Sequence, residues 1–332
     1  MASLFPQGSA FYKCNMHAHT CISDGNLTPE EVKEAYRAAG YAAVAFTDHE
    51  VMVTHNDLTD ESFIAINGFE GAVKEIPHEH TGAFQQVYHL NFLATSPDID
   101  TQPFVYPDNM TPGNCRAYLS QIKYAEELHF EHSTEGVNDL IRRANEAGFL
   151  VALNHPYWSL LPEEEYGQLD GLHAVEISNY ACRFHGDRAA TSAFPFWRQG
   201  KRLFPVGGDD NHNSKKGSGD SFGAYTVLAA TEFSYAGLMT AYASGALYVS
   251  EGPTILDLDY TDGELTVRTE PAAHILLCSE GRRILRSSAE GITEARFTVD
   301  PARTGSYFRV EVQDAAGRRA YSRAYFLDEF EN

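Results

Sequence analysis

Residues 11–47 decide the fold of this chain, and they read FYKCNMHAHTCISDGNLTPEEVKEAYRAAGYAAVAFT. Phe11–Met16 and Tyr41–Thr47 are apolar runs with the length of strands. A helix is predicted between them, because Thr28 is a favourable N-cap and Glu31 completes a capping box. A β-α-β unit this compact indicates two parallel strands joined by a crossover helix.

The same alternation of apolar strands and amphipathic helices continues to about residue 252. Seven or eight strands in this pattern predict an α/β fold, either a barrel or a doubly wound sheet. Residues 98–134 interrupt the pattern with several prolines, and we expect them to form a loop and a helix that cover one end of the sheet as a lid. The further strands are predicted at Phe63–Asn67, Val87–Ala94, Phe149–Leu153, Ala174–Ile177, Leu203–Val206 and Tyr225–Ala229, and the further helices at Cys115–Glu127, Thr134–Ala147, Ser192–Arg198 and Ser234–Ala243.

The texture of the sequence changes after residue 252. Short alternating runs are separated there by hairpin-turn pairs such as Asp262-Gly263 and Ala316-Gly317. The sequence therefore predicts an α/β domain over residues 1–252 and a small all-β, sandwich-like domain over residues 253–332. The β-rich runs are Leu256–Tyr260, Leu265–Arg268, His274–Cys278, Arg283–Leu285, Ala295–Val299, Tyr307–Gln313 and Ala320–Leu327.

The composition excludes several classes of protein. The 332 residues carry a formal net charge of −21. This charge argues against a nucleic acid polymer as the partner, because proteins that bind such polymers need a basic track on their surface. No apolar run approaches the roughly 18 residues of a membrane span, so no membrane partner is expected. The N-terminus lacks a signal-peptide pattern and the five cysteines show no CxxC spacing, so we expect a cytoplasmic protein. The sequence leaves the oligomeric state open.

Acids and histidines stand at or just after the ends of the predicted strands. Because the carboxyl ends of parallel strands share one face, these side chains should converge there. Imidazoles and carboxylates together suit Mn, Fe or Zn. Each residue alone has an ordinary explanation, such as a helix cap or a rim salt bridge, but their joint placement indicates a metal site. The set comprises His17, His19, Asp24, Asp48, His49, Glu70, His89, His155, Glu176, Asp210 and His212.

Several short segments, taken in order, resemble the motifs of the PHP (polymerase and histidinol phosphatase) superfamily. HAHTCISDG at residues 17–25 is similar to its opening HxHxxxSDG motif, and TDH at residues 47–49 to its second motif. GFE at residues 68–70, NHP at 154–156, VEISN at 175–179 and GDDNH at 208–212 resemble the later motifs. The resemblance covers about two thirds of the chain. It implies a distorted (β/α)7 barrel, in the branch that continues into a C-terminal β domain.

The resemblance also implies how the metal ligands are shared among two or three divalent ions, of Mn, Fe or Zn. One ion would be held by His17, His19, Glu70 and Asp210. A second would be held by Glu70, His89 and His155, with Glu70 as the bridging ligand. A third would be held by Asp24, His49 and His212. Asp48 is expected to orient a ligand from outside the metal site and is retained among the catalytic candidates.

The function implied is that of a metal-dependent phosphoesterase, which hydrolyses a small-molecule phosphomonoester such as a nucleotide or a sugar phosphate through a metal-bridging hydroxide. The substrate would be a small anion. His185 is a candidate to assist the leaving oxygen, and Arg183 a candidate to grip the phosphate in a bidentate manner. A surface salt bridge is an equally good explanation of Arg183.

Three alternatives remain open at the level of sequence. The same site could hydrolyse carboxyl or carbamoyl esters or amides, and the aromatic residues of the lid are compatible with that. A nuclease-like module acting on DNA is disfavoured by the net charge. A non-catalytic metal protein is disfavoured because a purely structural site needs no open coordination positions. Tyr157 and Trp158, which follow the fourth motif, could stack on a substrate ring or pack beneath the lid.

Overall fold

The structure is a computed structural model, and it describes residues 2–75, 85–185, 190–213 and 219–331. The strands are β1 Ala2–Ser3, β2 Ala10–Asn15, β3 Ala43–Phe46, β4 Ile64–Lys74, β5 Val87–Ala94, β6 Thr101–Gln102, β7 Lys123–Tyr124, β8 Phe149–Leu153, β9 Ala174–Asn179, β10 Phe204–Gly208, β11 Tyr225–Ala230, β12 Leu247–Ser250, β13 Ile255–Thr261, β14 Glu264–Ser279, β15 Ile284–Thr298, β16 Tyr307–Gln313, β17 Arg319–Ser322 and β18 Tyr325–Phe326. The helices are α1 Pro29–Ala38, α2 Cys115–Tyr118, α3 Thr134–Glu146, α4 Glu163–Tyr166, α5 Phe194–Trp197, α6 Tyr235–Ser244 and α7 Pro301–Thr304.

The opening β-α-β unit forms as the sequence predicts. Thr28 caps α1 by accepting a hydrogen bond from the amide of Glu31, and the Glu31 side chain accepts one from the amide of Thr28. Val32 and Tyr36 lie on the buried face of the helix, one turn apart. This packing turns the chain back so that β3 pairs with β2 in parallel.

A mixed sheet carries the site. β2, β3 and β4 are parallel neighbours, and so are β8, β9 and β10, but β5 runs antiparallel to both of its neighbours, β4 and β8. The wholly parallel arrangement that the pattern predicts is therefore wrong at β5. The amide of Glu75 donates to the carbonyl of Gln86, so the antiparallel hairpin ladder of β4 and β5 extends to these two residues.

The predicted closed barrel is not confirmed. Within the described residues β2 pairs with β3 and β11, and no ladder joins it to β10. Backbone hydrogen bonds join the two segments just beyond the carboxyl ends of the strands, where the amide of Asp210 donates to the carbonyl of His17 at 2.9 Å and the amide of His19 donates to the carbonyl of Asn211 at 3.2 Å. These two bonds bring the first and last motifs side by side.

Residues 98–134 differ from the prediction. The predicted helix Cys115–Glu127 is wrong, because helix α2 ends at Tyr118 and the chain then forms β7, which pairs with β6. Cys115 is buried with Ile22 and Val51, so this segment packs against the loops that follow β2 and β3. The segment is anchored by its apolar contacts and its two short strands rather than by a long helix.

The C-terminal strands are antiparallel and continuous with the rest of the sheet. β12 pairs with β17, and β1 pairs with β13, so the described strands β13–β18 are joined to the rest of the sheet and the predicted sandwich-like domain is not confirmed. Strand β14 spans the two strands predicted at Leu265–Arg268 and His274–Cys278, and strand β15 spans those predicted at Arg283–Leu285 and Ala295–Val299. Irregular register around Ala272 lets the pairing of β14 with β15 continue across Glu270-Pro271. The domain boundary near residue 252 stays a prediction.

None of the helices in the described residues combines the length and the apolar character that crossing a membrane requires.

Gly208 provides a test of this architecture. A Cβ at Gly208 would lie 2.6 Å from the Cβ of His17, at the point where β10 approaches the end of β2. We expect Gly208→Ala to lower the free energy of unfolding by about 1–3 kcal/mol, as overpacking does in cores. Urea denaturation in the presence of a chelator measures this effect without a contribution from metal.

Gly281→Ala is the matched control for Gly208→Ala. A Cβ at Gly281 would meet nothing closer than the Ser279 hydroxyl at 3.9 Å, so this variant should unfold like the unmodified protein. Equal stability of the two variants would contradict the close approach of β10 and β2.

Candidate metal centre

The nine candidate ligands converge at one end of the mixed sheet. His17 and His19 come directly after β2, and Asp210 follows β10. Glu70 lies within β4. His89 lies near the start of β5, and because β5 is antiparallel, its beginning lies at the same sheet edge as the carboxyl ends of its neighbours. The hairpin that departs from the predicted topology is thus what brings His89 to the site.

Glu70 is the centre of the cluster. Its side chain is almost fully buried, and imidazole nitrogens of five histidines lie within 3.4 Å of its two carboxylate oxygens. Oε1 lies 3.3 Å from His17 Nε2, 3.2 Å from His89 Nδ1 and 3.4 Å from His155 Nε2, and Oε2 lies 3.0 Å from His49 Nδ1 and 3.4 Å from His19 Nε2.

Several of these atoms face one another without forming hydrogen bonds. Glu70 Oε2, His49 Nδ1 and His89 Nδ1 are buried and have no hydrogen-bond partner. The Nε2 atoms of His17 and His19 lie 3.2 Å apart. Buried polar atoms normally find partners, so nitrogen and oxygen lone pairs directed at a common point are what a bound cation would explain.

Asp210 is a second carboxylate that lies close to several histidines of the cluster. Its Oδ1 lies 2.9 Å from His19 Nε2 and 3.3 Å from His17 Nε2, and its Oδ2 lies 3.8 Å from His155 Nε2. Asp210 and His155 both have positive φ, at 53° and 24°. Non-glycine residues rarely adopt such angles, and the surrounding contacts hold the backbone there to aim both side chains into the cluster.

A more exposed group lies beside this buried part. His212 Nε2 is 3.3 Å from Asp24 Oδ1, and His49 Nε2 is 3.7 Å from Asp24 Oδ2. The side chains of Asp24 and His212 are 34% and 32% exposed, so this group opens to solvent. His212 Nδ1 lies 3.0 Å from the carbonyl of Asp210, which leaves Nε2 available for a metal.

The donor atoms fall into four overlapping groups, each with its atoms within 4.8 Å of one another. This donor set fits divalent metal binding. One group coincides with the residues expected for the second ion, another contains those expected for the third ion together with His19, and the residues expected for the first ion are divided between two groups. Which residue binds which ion stays a prediction. The groups are His17, His19 and Glu70; His17, His155 and Asp210; Glu70, His89 and His155; and His19, Asp24, His49 and His212.

Other polar side chains orient the candidate ligands. Glu176 Oε1 lies 3.2 Å from His17 Nδ1, and Glu176 Oε2 accepts a hydrogen bond from the amide of His155 at 3.0 Å. Asn154 Nδ2 donates to Glu70 Oε1 at 2.7 Å. Such contacts fix the tautomer and direction of a ligand. Glu176 was part of the sequence pattern, whereas the role of Asn154 was missed although it directly precedes His155.

Asp48 does not face the cluster. Its carboxylate accepts four hydrogen bonds of 2.7–3.1 Å, from the amides and hydroxyls of Thr20 and Ser23. These bonds hold the loop that carries Asp24, in keeping with the expected orienting role, and the catalytic role of Asp48 stays a prediction. The segment of residues 98–134 supports the same loop from its outer side, because the amide of Asn114 donates to the carbonyl of Ser23 at 2.8 Å.

Arg183 and His185 lie on the turn after β9. The Arg183 guanidinium packs between the rings of Tyr180 and Phe184 and donates to the carbonyl of Tyr180. It lines a cleft of about 360 Å³ to which none of the nine candidate ligands contributes. The His185 side chain is exposed. The structure does not bring these two residues into the cluster, and their roles stay predictions.

The charged groups of the cluster shift one another's pKa values. Burial raises the pKa of Glu70 and Asp210, but the neighbouring histidine charges outweigh burial and hold both pKa values well below their usual range. Burial and the charges of His49 and His212 lower the pKa of His19 to about 4, which favours the neutral, metal-binding form. Burial also raises the pKa of Glu50, a residue the sequence analysis missed, to about 8.

Comparison with known proteins gives structural neighbours only. A scan against family models finds no match, and a search of curated proteins finds none. Over 97% of its length, the chain is similar to 98% of a two-domain protein from Bacteroides vulgatus that contains a predicted PHP-like metal-dependent phosphoesterase, at 15% identity and a TM-score of 0.45.

Two further solved structures match a smaller part of the chain. A candidate metal-dependent phosphoesterase from Bifidobacterium adolescentis shares 18% identity at a TM-score of 0.38, over 63% of this chain and 89% of that one. An amidohydrolase from Chromobacterium violaceum shares 16% identity at a TM-score of 0.39, over 61% and 88%. Because all these TM-scores lie below 0.5, the chemistry of this chain has to be inferred from its own side chains.

We predict that metal affinity rises with pH. Burial lowers the pKa of His212, but the hydrogen bond to Asp24 and the charge of Asp210 raise it to about 9. A metal must displace that proton, so affinity for Mn²⁺ should increase by at least about tenfold per pH unit between pH 7 and 9. Calorimetric titration in buffers of different ionisation enthalpy counts the protons released.

The metal-free protein should show the opposite trend. A raised histidine pKa contributes stability that is complete below the ordinary histidine pKa of about 6.5 and is lost as the pH rises through about 9. His212→Asn should reduce both pH dependences. A metal affinity independent of pH would contradict the assigned protonation of His212.

We also predict that Asp48→Ala removes metal selectively. Without the four hydrogen bonds the loop carrying Asp24 loses its support, so the group of Asp24, His49 and His212 should lose about one ion per chain. The buried group around Glu70 should keep its metal. Metal content after gel filtration measures this, and Asp57→Ala, a change at an exposed aspartate, is the control; equal metal content in the two variants would contradict the positioning role.

Proposed function

We propose that this protein is a metal-dependent hydrolase that acts on phosphomonoesters of small molecules. One observation carries the proposal: a single buried carboxylate, that of Glu70, is shared by five histidines from four segments of the chain. A carboxylate in this position can bridge two metal ions, and paired ions are the arrangement that clamps both oxygens of an in-line displacement at phosphorus.

Charge balance supports an anionic substrate. The candidate ligands include three carboxylates, those of Asp24, Glu70 and Asp210, and the other ligands are histidines that bind metal in their neutral form. Two divalent cations exceed the charge of these three carboxylates, and a third would increase the excess. The loaded centre would therefore attract a phosphate group although the chain as a whole carries a net charge of −21.

The chain's own residues prepare the reaction. Bound divalent cations would supply a nucleophilic water of lowered pKa and would polarise the ester. Glu176 and Asn154 hold His17, His155 and Glu70 in fixed directions, which reduces reorganisation during the reaction. The open side at Asp24 and His212 leaves room for a substrate to approach.

Hydrolysis of a carboxyl or carbamoyl ester, or of an amide, is the second candidate. The observation that favours it is the aromatic rim beside the cluster, where Tyr157 and Trp158 are 67% and 39% exposed. An uncharged ester with an apolar group would suit such a rim, whereas the charge excess of the centre favours the phosphate. A polymer of nucleic acid is not proposed as the substrate.

A parallel hydrolysis screen distinguishes the two candidates. Mn-loaded protein is assayed with aryl and alkyl phosphomonoesters and, separately, with carboxyl esters and carbamates. We expect phosphate release, and a loss of about 100-fold or more in Glu70→Gln, because several kcal/mol of charge stabilisation depend on the metals that Glu70 holds. Metal analysis of Glu70→Gln should show the corresponding loss of ions.

Glu290→Gln, the same change at an exposed glutamate of β15, is the matched control and should keep both metal and activity. Cleavage of carbonyl esters without phosphate release would overturn the phosphoesterase proposal in favour of the second candidate. Full activity in the double variant His17→Ala, His19→Ala would exclude a metal-dependent hydrolase altogether.

A further inference from the structure

The turn that follows β8 is built tightly onto the metal centre. His155 has a positive φ, and its carbonyl accepts a hydrogen bond from the amide of Ser159 at 3.1 Å, while its Nδ1 lies 3.2 Å from the Ser159 hydroxyl. The carbonyl of Ser159 also accepts a bond from the amide of Val87 at the start of β5. The residues between His155 and Ser159 are therefore held in one place relative to the cluster.

Trp158 lies in this turn and contacts two candidate ligands. Its ring centroid is 5.0 Å from that of His155, at an interplanar angle of 82°, and 5.6 Å from that of His89, at 43°. The side chain is 39% exposed. One part of the indole thus packs against the centre while another part faces solvent at its rim.

The other tryptophan, Trp197, is a buried core residue. Trp197 is 1% exposed, donates a hydrogen bond from Nε1 to the carbonyl of Leu203 and belongs to a large apolar cluster. Trp158 differs from it, because 39% of its side chain is exposed and its ring contacts are with two candidate metal ligands.

We propose that Trp158 determines substrate specificity by stacking on the leaving group of an aryl phosphomonoester. This inference rests on the proposed function and names its substrate class. A phosphate held by the group of Glu70, His89 and His155 would place its ester oxygen next to Trp158, since the ring touches two of those three residues. An aromatic leaving group can then lie against the exposed part of the indole.

The reaction is a hydrolysis without redox change. The oxygen of water forms a new bond to phosphorus, the bond between phosphorus and the aryl oxygen breaks, and the aryl oxygen receives a proton from the same water. The products are a phenol and inorganic phosphate. The indole takes no part in bond breaking, so Trp158 should act through the binding of the ring.

The test compares the binding of two inert analogues to Mn-loaded protein, phenylphosphonate and methylphosphonate, by calorimetric titration. We expect the unmodified protein to bind phenylphosphonate about threefold to tenfold more tightly, as an aromatic pair allows. Trp158→Ala should lose this preference while keeping its metal and its affinity for methylphosphonate, and Trp158→Phe should retain part of it.

Phe184→Ala is the matched control, since Phe184 is an aromatic residue that is 84% exposed and lines the cleft beside Arg183. It should leave the preference unchanged. An unchanged preference in Trp158→Ala, or loss of metal in both Trp158→Ala and Trp158→Phe, would overturn the specificity role. Equal binding of the two analogues by the unmodified protein would overturn this inference alone, whereas failure of both analogues to bind would overturn the proposed function with it.

Discussion

The buried carboxylate of Glu70 is the constraint on which the arrangement of this end of the molecule depends. Five imidazoles lie within hydrogen-bonding distance of it, yet several of the facing atoms form no hydrogen bond. A buried charge is tolerated only where opposite charge or metal compensates it. The fold must therefore hold many mutually facing donor atoms in place. The hydrogen bonds from Asn154 to Glu70 and from His155 and Asn179 to Glu176 do this.

The backbone around the centre shows the cost of this arrangement. Asp210 and His155 adopt positive φ, and Gly208 has no room for a Cβ because His17 lies against it. Each feature is unfavourable or restrictive by itself and is maintained by the contacts around it. The loop of Asp24 is different, since it is held from inside by Asp48 and from outside by the segment of residues 98–134. The rigid part of the centre is thus buried, and its more open part depends on bonds that single substitutions can remove.

The sequence predicts the parts of this structure that local rules govern. Thr28 and Glu31 define the start of α1, and the histidines after β2 fall at the predicted edge because strand ends fix their position. The direction of β5 was not predictable from periodicity, which is the same for parallel and antiparallel strands. The helix expected at Cys115–Glu127 failed because the pairing of β6 with β7, a tertiary contact, competes with helical propensity. The hydrogen-bond partners of Asp48 were not predictable for a similar reason, since adjacency to His49 does not reveal which way a side chain turns.

On the proposed function, different parts of the site attract the substrate and discriminate between substrates. A loaded metal cluster would attract any phosphate-like group, because cations respond to charge and not to the rest of the molecule. The turn after β8 links the two tasks, since one segment supplies His155 to the cluster and Trp158 to the rim. A change in the rim could therefore alter which ester is accepted without altering the chemistry. On the proposed function, selectivity would act at short range, where the aromatic ring, and not the net charge of −21, would meet the leaving group.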